Sequence, residues 1–262
     1  MTQYSQEQYP WIIPQDLPLG LQVMSTTRFG GVSEPPFDAF NVGLHVGDDV
    51  RAVLENRRFL RANLPSEPIW LDQVHGRKVM DADQVDRLTA PFEADAAVTT
   101  SSDVVLAIQT ADCMPVVING GGRVLGVAHA GWRGLALGVL SELVLAMQEK
   151  VAVPNRDLRQ WQAWIGPCIG PSAFQVGKDV RQAFLAQSPG HQTFFSPDDD
   201  APHKWRCDLP GLALRALHSM GIKHSKWCGF CTVSDEQQRF FSYRRDGRTG
   251  RMATLAWLGK YR

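Results

Sequence analysis

The sequence is short of several features that would settle its class at once. No apolar run approaches the ~18 residues that a bilayer-crossing helix needs, so neither a membrane span nor a membrane partner is expected. The opening MTQYSQEQYPWIIP has no basic segment leading into an apolar one, and does not read as a secretory signal. Charge of one sign is not in excess: Lys plus Arg and Asp plus Glu both number 27, for a formal net charge of zero. The positive surplus that draws proteins onto nucleic acid is missing, and no nucleic-acid partner is expected. Cysteine is sparse and odd in number, at five. That argues against a disulfide framework and for free thiols in a reducing cytoplasm. No G-x-G-x-x-G leads from a strand into a helix, and no G-x-x-x-x-G-K-[ST] occurs, so dinucleotide and P-loop sites have no support.

What is present suits an ordinary globular protein: 262 residues, 44% hydrophobic and 21% charged. No repeat and no Pro/Gly/Ser-rich linker divides the chain, so a single domain over residues 1–262 is expected. A strand is expected at 21–27, then a Gly/Pro-rich loop, then a helix over 49–63 capped by Asp48 or Asp49. IWLDQVH and KVMDAD read as short strands, and DAAVTT, VVLAIQTAD, PVVI and VLGVAHA as a run of buried ones. Helices are expected over 134–150, 177–186 and 209–220, the last stopped by Gly221, with WQAWIG as a strand. Residues 187–203 read as a long surface loop, and SYRRDGRTGRMATLAWL as a turn into a last strand or helix. Adjacent strands without intervening helices imply an α+β, mixed-sheet fold, not a doubly wound parallel one.

Three expected strand ends carry reactive side chains: Gln73-Val74-His75-Gly76, Thr110-Ala111-Asp112-Cys113 and His129-Ala130-Gly131-Trp132-Arg133-Gly134. Rigid strands that open onto loops position such groups at a surface. His75, Cys113 and His129 make a three-ligand set for zinc or copper, leaving a fourth position for water, as at a catalytic zinc. The plainer readings are a core or loop histidine and a small apolar cysteine. A third is a Cys113 thiolate activated by His75 or His129 without metal. Gly131 and Gly134 are expected to let the chain turn before the next helix. The loops offer cations and donors in Thr27-Arg28-Phe29-Gly30-Gly31-Val32-Ser33, Asn41 and His45 in NVGLHVGDD, and Arg244 and Arg245. KWCGFCT, with Cys228 and Cys231, has the look of a redox pair. Yet a thioredoxin-like pair opens a long helix, and here only 31 residues follow Cys231. Cys228 reads as incidental, and Trp227 and Phe230 are expected to be packing residues on a strand after Gly221.

Taken together, TTRFGGVSEPPFDAFNVGLHVGDD, WLDQVHG, ADAAVTT, TADCMPVV, AHAGWRG, IGPCIGP and CTVSDEQQRFFSYRRDGRTGRMA closely resemble the YfiH-type family. That family is known both for laccase-like polyphenol oxidases and for purine nucleoside phosphorylases with adenosine deaminase activity. The resemblance implies a YfiH-like α/β sandwich, with His75, Cys113 and His129 as metal ligands. Where the family often continues Cys-Tyr-Glu-Val after IGPCIGP, this chain has Ala173-Phe174-Gln175-Val176, so either that Cys and Glu are not essential here or this chain does less.

The resemblance implies a zinc enzyme, with copper as the alternative metal, that takes a purine nucleoside and phosphate. His75, Cys113, His129 and Asp112 would be catalytic, and Arg28, Ser33, Asn41, Gln73, Arg133 and Arg244 would contact substrate. A monomer or weak homodimer is expected. The oxidase reading is weaker on ligand arithmetic: seven histidines, at 45, 75, 129, 191, 203, 218 and 224, contain no H-x-H pair. A Cys–His hydrolase acting on a cell-wall precursor and a non-catalytic metal-binding module are the remaining readings.

Overall fold

Two antiparallel-rich sheets packed face to face build the core. The computed structural model describes residues 11–14, 20–85 and 92–259, and most of the MTQYSQEQYPWIIP segment lies outside the described residues. A five-stranded sheet runs in the order Trp11–Ile12, Leu21–Thr26, Met252–Leu258, Val105–Thr110, Pro68–Ile69. A six-stranded sheet runs His224–Trp227, Gln162–Ile165, Met114–Asn119, Leu125–Ala130, Ala96–Thr99, Val79–Asp81. Most neighbours are antiparallel, but the 162–165/224–227, 79–81/96–99 and 68–69/105–106 pairs are parallel. The sheets are therefore mixed, as the unbroken series of strands implied.

Alternation sorts each strand's side chains between two cores. Leu21, Val23, Leu106, Ile108, Ala256 and Leu258 of one sheet meet Val117, Leu125, Val127 and Trp164 of the other. On the outer side of the six-stranded sheet, Val116, Ile118 and Ala128 pack under Leu140, Leu143, Val144 and Met147 of the helix Val139–Glu149. On the outer side of the five-stranded sheet, Met24, Val105, Ala107 and Leu255 pack under Leu60 of the helix Val50–Arg61. The layers are helix, sheet, sheet, helix. Each central strand is covered on both faces, which is why VLAIQT, MPVVIN and LGVAHA are apolar almost throughout instead of alternating.

Several boundaries follow local chemistry. Asp49 caps the first helix by accepting the Arg51 N–H at 2.8 Å. The helix Leu209–Met220 starts at the Asp208 cap and stops at Gly221, whose φ is 109°.

Other expectations change. The helix expected over 134–150 is two, Trp132–Ala136 and Val139–Glu149, parted at Gly138 with φ 88°. A left-handed residue ends the first and lets the second restart with its apolar face on the sheet. The 187–203 loop contains a 3-10 helix, Pro189–Phe194, and a strand, Phe195–Pro197, paired with Trp205–Cys207. Phe195, buried near Phe184, anchors it. The last segment forms a helical turn, Tyr243–Asp246, and then the strand Met252–Leu258. The IWLDQVH strand ends at Asp72, so Gln73, Val74 and His75 lie in a loop.

Candidate metal site and substrate cavity

Sheet register brings two of the reactive residues together. Met114 pairs with Ala130, and Pro115 with His129. Cys113, just before one strand, thus lies beside the end of the other. His75 reaches the same point from its loop. Cys113 Sγ is 3.8 Å from His75 Nε2, and the two imidazole rings meet edge to face with centroids 4.7 Å apart. One ligand atom from each of His75, Cys113 and His129 lies within 4.8 Å of the others, and among the described residues this is the one such group of His, Cys, Asp or Glu.

Two further features suit a metal. A Cβ on Gly131 would come 2.8 Å from Cys113 Sγ and 3.2 Å from His75 Cδ2, so any side chain there would fill the ligand cradle. Gly131 has an ordinary φ of −63°, so close approach, not turning, is what demands glycine. His129 Nδ1 bonds the Asp95 carboxylate at 2.8 Å, which turns Nε2 toward the cradle, the usual setting of a metal-binding histidine. Two imidazoles and a thiolate fit zinc, and also copper.

Asp95 is fully buried and was not among the expected site residues. Its carboxylate also accepts the backbone N–H groups of Val74 at 3.2 Å, His75 at 2.9 Å and Gly76 at 2.6 Å. His75 itself sits at φ 60°, a costly conformation for a side-chain-bearing residue, as does Asp112 at φ 89°. Loss of surrounding water raises the Cys113 thiol, but the His129 charge and hydrogen bonds from both histidines outweigh it and pull it down to about 6. Burial opposes the His129 charge, but Cys113 and then Asp95 raise it to about 9.

These groups open into a cavity of about 520 Å³. Its walls include His45, Gln73, Asp112, Trp132, Arg133, Phe174, Tyr243, Arg244 and Arg251. The structure places the expected contacts unevenly. Arg133 and Arg244 line the cavity, with Arg133 over the Trp132 ring. Gln73 lines it, but its amide is spent on the Gln109 backbone, donating to the carbonyl and accepting the N–H, both at 2.8 Å. Asp112 accepts the Thr232 hydroxyl and the Arg244 N–H, each at 2.6 Å, so its carboxylate sets the Arg244 segment in place.

Arg28, Ser33 and Asn41 are not brought to the cavity. Arg28 pairs with Asp38 at 2.8 Å. Ser33 accepts from Asn56 at 3.0 Å. Asn41 is fully buried and bonds Asp48, Gly43 and the Arg251 N–H. These polar loop residues hold the 28–48 loop together, and residue type alone does not separate that task from ligand contact. The expected list also omitted Arg251 and gave His45 no role, although both line the cavity. Their one sequence signal was membership of polar loops.

The Cys228–Cys231 pair opens no helix: turns follow Cys231. Both thiols are free.

Residues 22–259 match the family described as multi-copper polyphenol oxidoreductase laccase. The chain is 44% identical over 250 residues to a purine nucleoside phosphorylase of Pseudomonas aeruginosa, covering 95% of this chain and 98% of that one. It is 43% identical over 255 residues to the purine nucleoside phosphorylase YfiH of Escherichia coli, covering 94% and 98%. The crystal structure of Neisseria meningitidis protein NMB0706, of the DUF152 family, superposes with a TM-score of 0.88 at 38% identity, covering 96% of this chain and all of that one.

Proposed function

The chain belongs to the multi-copper polyphenol oxidoreductase laccase family, and from that premise we propose that it is a cytoplasmic purine nucleoside phosphorylase with a mononuclear zinc site. On this reading it cleaves adenosine, inosine and methylthioadenosine, and also deaminates adenosine. One observation carries the reading: a single cavity holds the His75–Cys113–His129 donors together with Arg133, Arg244 and Arg251. None of these guanidinium groups is in an ion pair among the described residues. Their charge is available to an anion, and phosphate is the anion that phosphorolysis consumes. Trp132, Phe174 and Tyr243 on the same walls offer faces for a purine. Relatives named purine nucleoside phosphorylase support the substrate.

In phosphorolysis a phosphate oxygen bonds to C1′ while the C1′–N9 bond breaks and the base leaves from an oxocarbenium-like ribose. Arg133, Arg244 and Arg251 hold the phosphate and spread its charge. Asp112 fixes the backbone of Arg244. His75, Cys113 and His129 would hold a zinc ion, whose Lewis acidity would serve the adenosine deaminase step, in which water adds at C6 and ammonia leaves. One three-ligand group among the described residues, and seven histidines with no H-x-H pair, support a mononuclear site over a four-copper one. The same His₂Cys donors suit copper, which keeps a copper-dependent phenol oxidase as the second reading.

The test is metal content paired with turnover, on protein purified without a metal-chelating tag. Near-stoichiometric zinc is expected in the wild type and its loss in Cys113→Ala, with phosphate-dependent release of free base only in the wild type. No base or inosine above the variant's background would sink the nucleoside reading. Copper with phenol oxidation would favour the second. Turnover surviving full chelation would move the chemistry to a Cys113–His129 hydrolase.

A further inference from the structure

We propose that Asp95 is the positioning residue of the metal site, one carboxylate that sets both histidines. This rests on the metal reading above. Its Oδ1 takes His129 Nδ1 at 2.8 Å and the His75 N–H at 2.9 Å, while its Oδ2 takes the N–H groups of Val74 at 3.2 Å and Gly76 at 2.6 Å. An ionised carboxylate only accepts, so His129 must carry a proton on Nδ1, which leaves Nε2 as the ring nitrogen turned to the cradle. The three backbone bonds close the 74–76 loop around the same carboxylate and hold His75 at its left-handed φ of 60°. The loop's other anchor is Gln73, clamped to the Gln109 backbone. Each histidine comes from a different part of the chain, and Asp95 bonds the ring of one and the backbone N–H of the other.

Asparagine cannot replace this carboxylate in either orientation. With its NH₂ at the Oδ1 position, a donor faces His129 Nδ1. The ring must then accept there and carry its proton on Nε2, which removes the lone pair a metal needs. The His75 N–H loses its acceptor at the same time. With the NH₂ at the Oδ2 position, donor faces donor at Val74 and Gly76, and the His75 loop is released. At least one histidine loses its setting in both cases.

The experiment measures zinc affinity by chelator competition in wild type, Asp95→Asn and Asp95→Glu. It also reads the His129 tautomer by ¹⁵N NMR in the metal-free proteins. We expect 10–100-fold weaker zinc binding in both variants. We also expect an Nδ1-protonated or doubly protonated His129 in the wild type, with the Nε2-protonated form or a mixture in Asp95→Asn. Affinity within twofold of wild type with an unchanged tautomer would overturn the assignment. If Asp95→Asn does not fold, Asp95→Glu keeps the charge and displaces it by one methylene, and wild-type affinity there would overturn it equally. Failure of both to fold would also overturn it, since the carboxylate would then serve the fold. A wild type that binds neither zinc nor copper would remove the metal reading, while the metal-free tautomer comparison still decides the role of Asp95.

Discussion

At Cys113, desolvation is overcome by the charge and hydrogen bonds of two histidines. At Cys228 burial dominates, only weakly offset by backbone hydrogen bonds, and pushes the thiol up to about 12. Burial also raises Cys207 to about 12 and Cys168 well above the ordinary thiol. Cys231 moves the other way: burial raises it, but hydrogen bonds from Ser234 and the Gly170 backbone win and lower it. Only thiolate reacts with an alkylating agent. In chelated protein, iodoacetamide labelling read by mass spectrometry is therefore expected at Cys113 and Cys231 at pH 7, not at Cys168, Cys207 or Cys228. Because the folded pKa of Cys113 is depressed, its labelling should fall away as pH drops through about 6. Equal labelling of Cys228 and Cys231 would contradict this. The CGFC motif illustrates what residue type conceals. Cys228 packs against the inter-sheet core, whereas Cys231 lines a separate polar cavity with Ser234, Asp235 and Arg239.

Secondary elements here are tied at their ends by a few charged contacts. The edge strand Val79–Asp81 is held to the end of the helix Val139–Glu149 by Lys150, whose ammonium lies 2.6 Å from Asp81 and 2.9 Å from Asp83. Asp83 also accepts from the Thr99 hydroxyl and from both donors of Thr100. Burial would raise its carboxyl, but Lys150 and these donors bring it down to about 2. A depressed carboxylate contributes stability above its unfolded pKa and loses it as pH falls through the folded one. Asp83→Asn is thus expected to cost about 1–2 kcal/mol at pH 7 in denaturant unfolding. The difference from wild type should shrink as pH falls from about 4 to about 2. A pH-independent difference would point to packing instead. Element ends marked by side chains, such as Asp208 and Gly221, were legible because the cap chemistry is local. The break at Gly138 was not, because glycine inside an apolar helical pattern does not announce whether the sheet below needs the helix to restart.

For the whole molecule, the site draws on both main sheets: Cys113 lies between the Val105–Thr110 strand of one and the Met114–Asn119 strand of the other, His129 is near the end of the Leu125–Ala130 strand, Arg251 precedes Met252–Leu258, and His75 follows Leu71–Asp72, which pairs with Phe92–Glu93 in a small sheet of its own. A metal bound there acts on the stability of the whole. If zinc is held at a hundred times its Kd, removing it is expected to cost about 2.7 kcal/mol. Calorimetry should show a lower Tm for the wild type after chelation and no change for Cys113→Ala. An equal drop in both would place the stabilising ion elsewhere. The sequence by itself determined the central strands, several helix ends and the three ligand candidates, because apolar runs, caps and reactive residues at run ends are local patterns. Only the tertiary structure decided which polar side chains face the cavity. It withdrew Arg28, Ser33 and Asn41 into loop bonding, gave Asp112 and Gln73 backbone partners, brought His45 and Arg251 to the cavity wall, and set the buried Asp95 behind His129. Those choices depend on strand register and loop closure between residues far apart in the chain, and no local pattern carries that information.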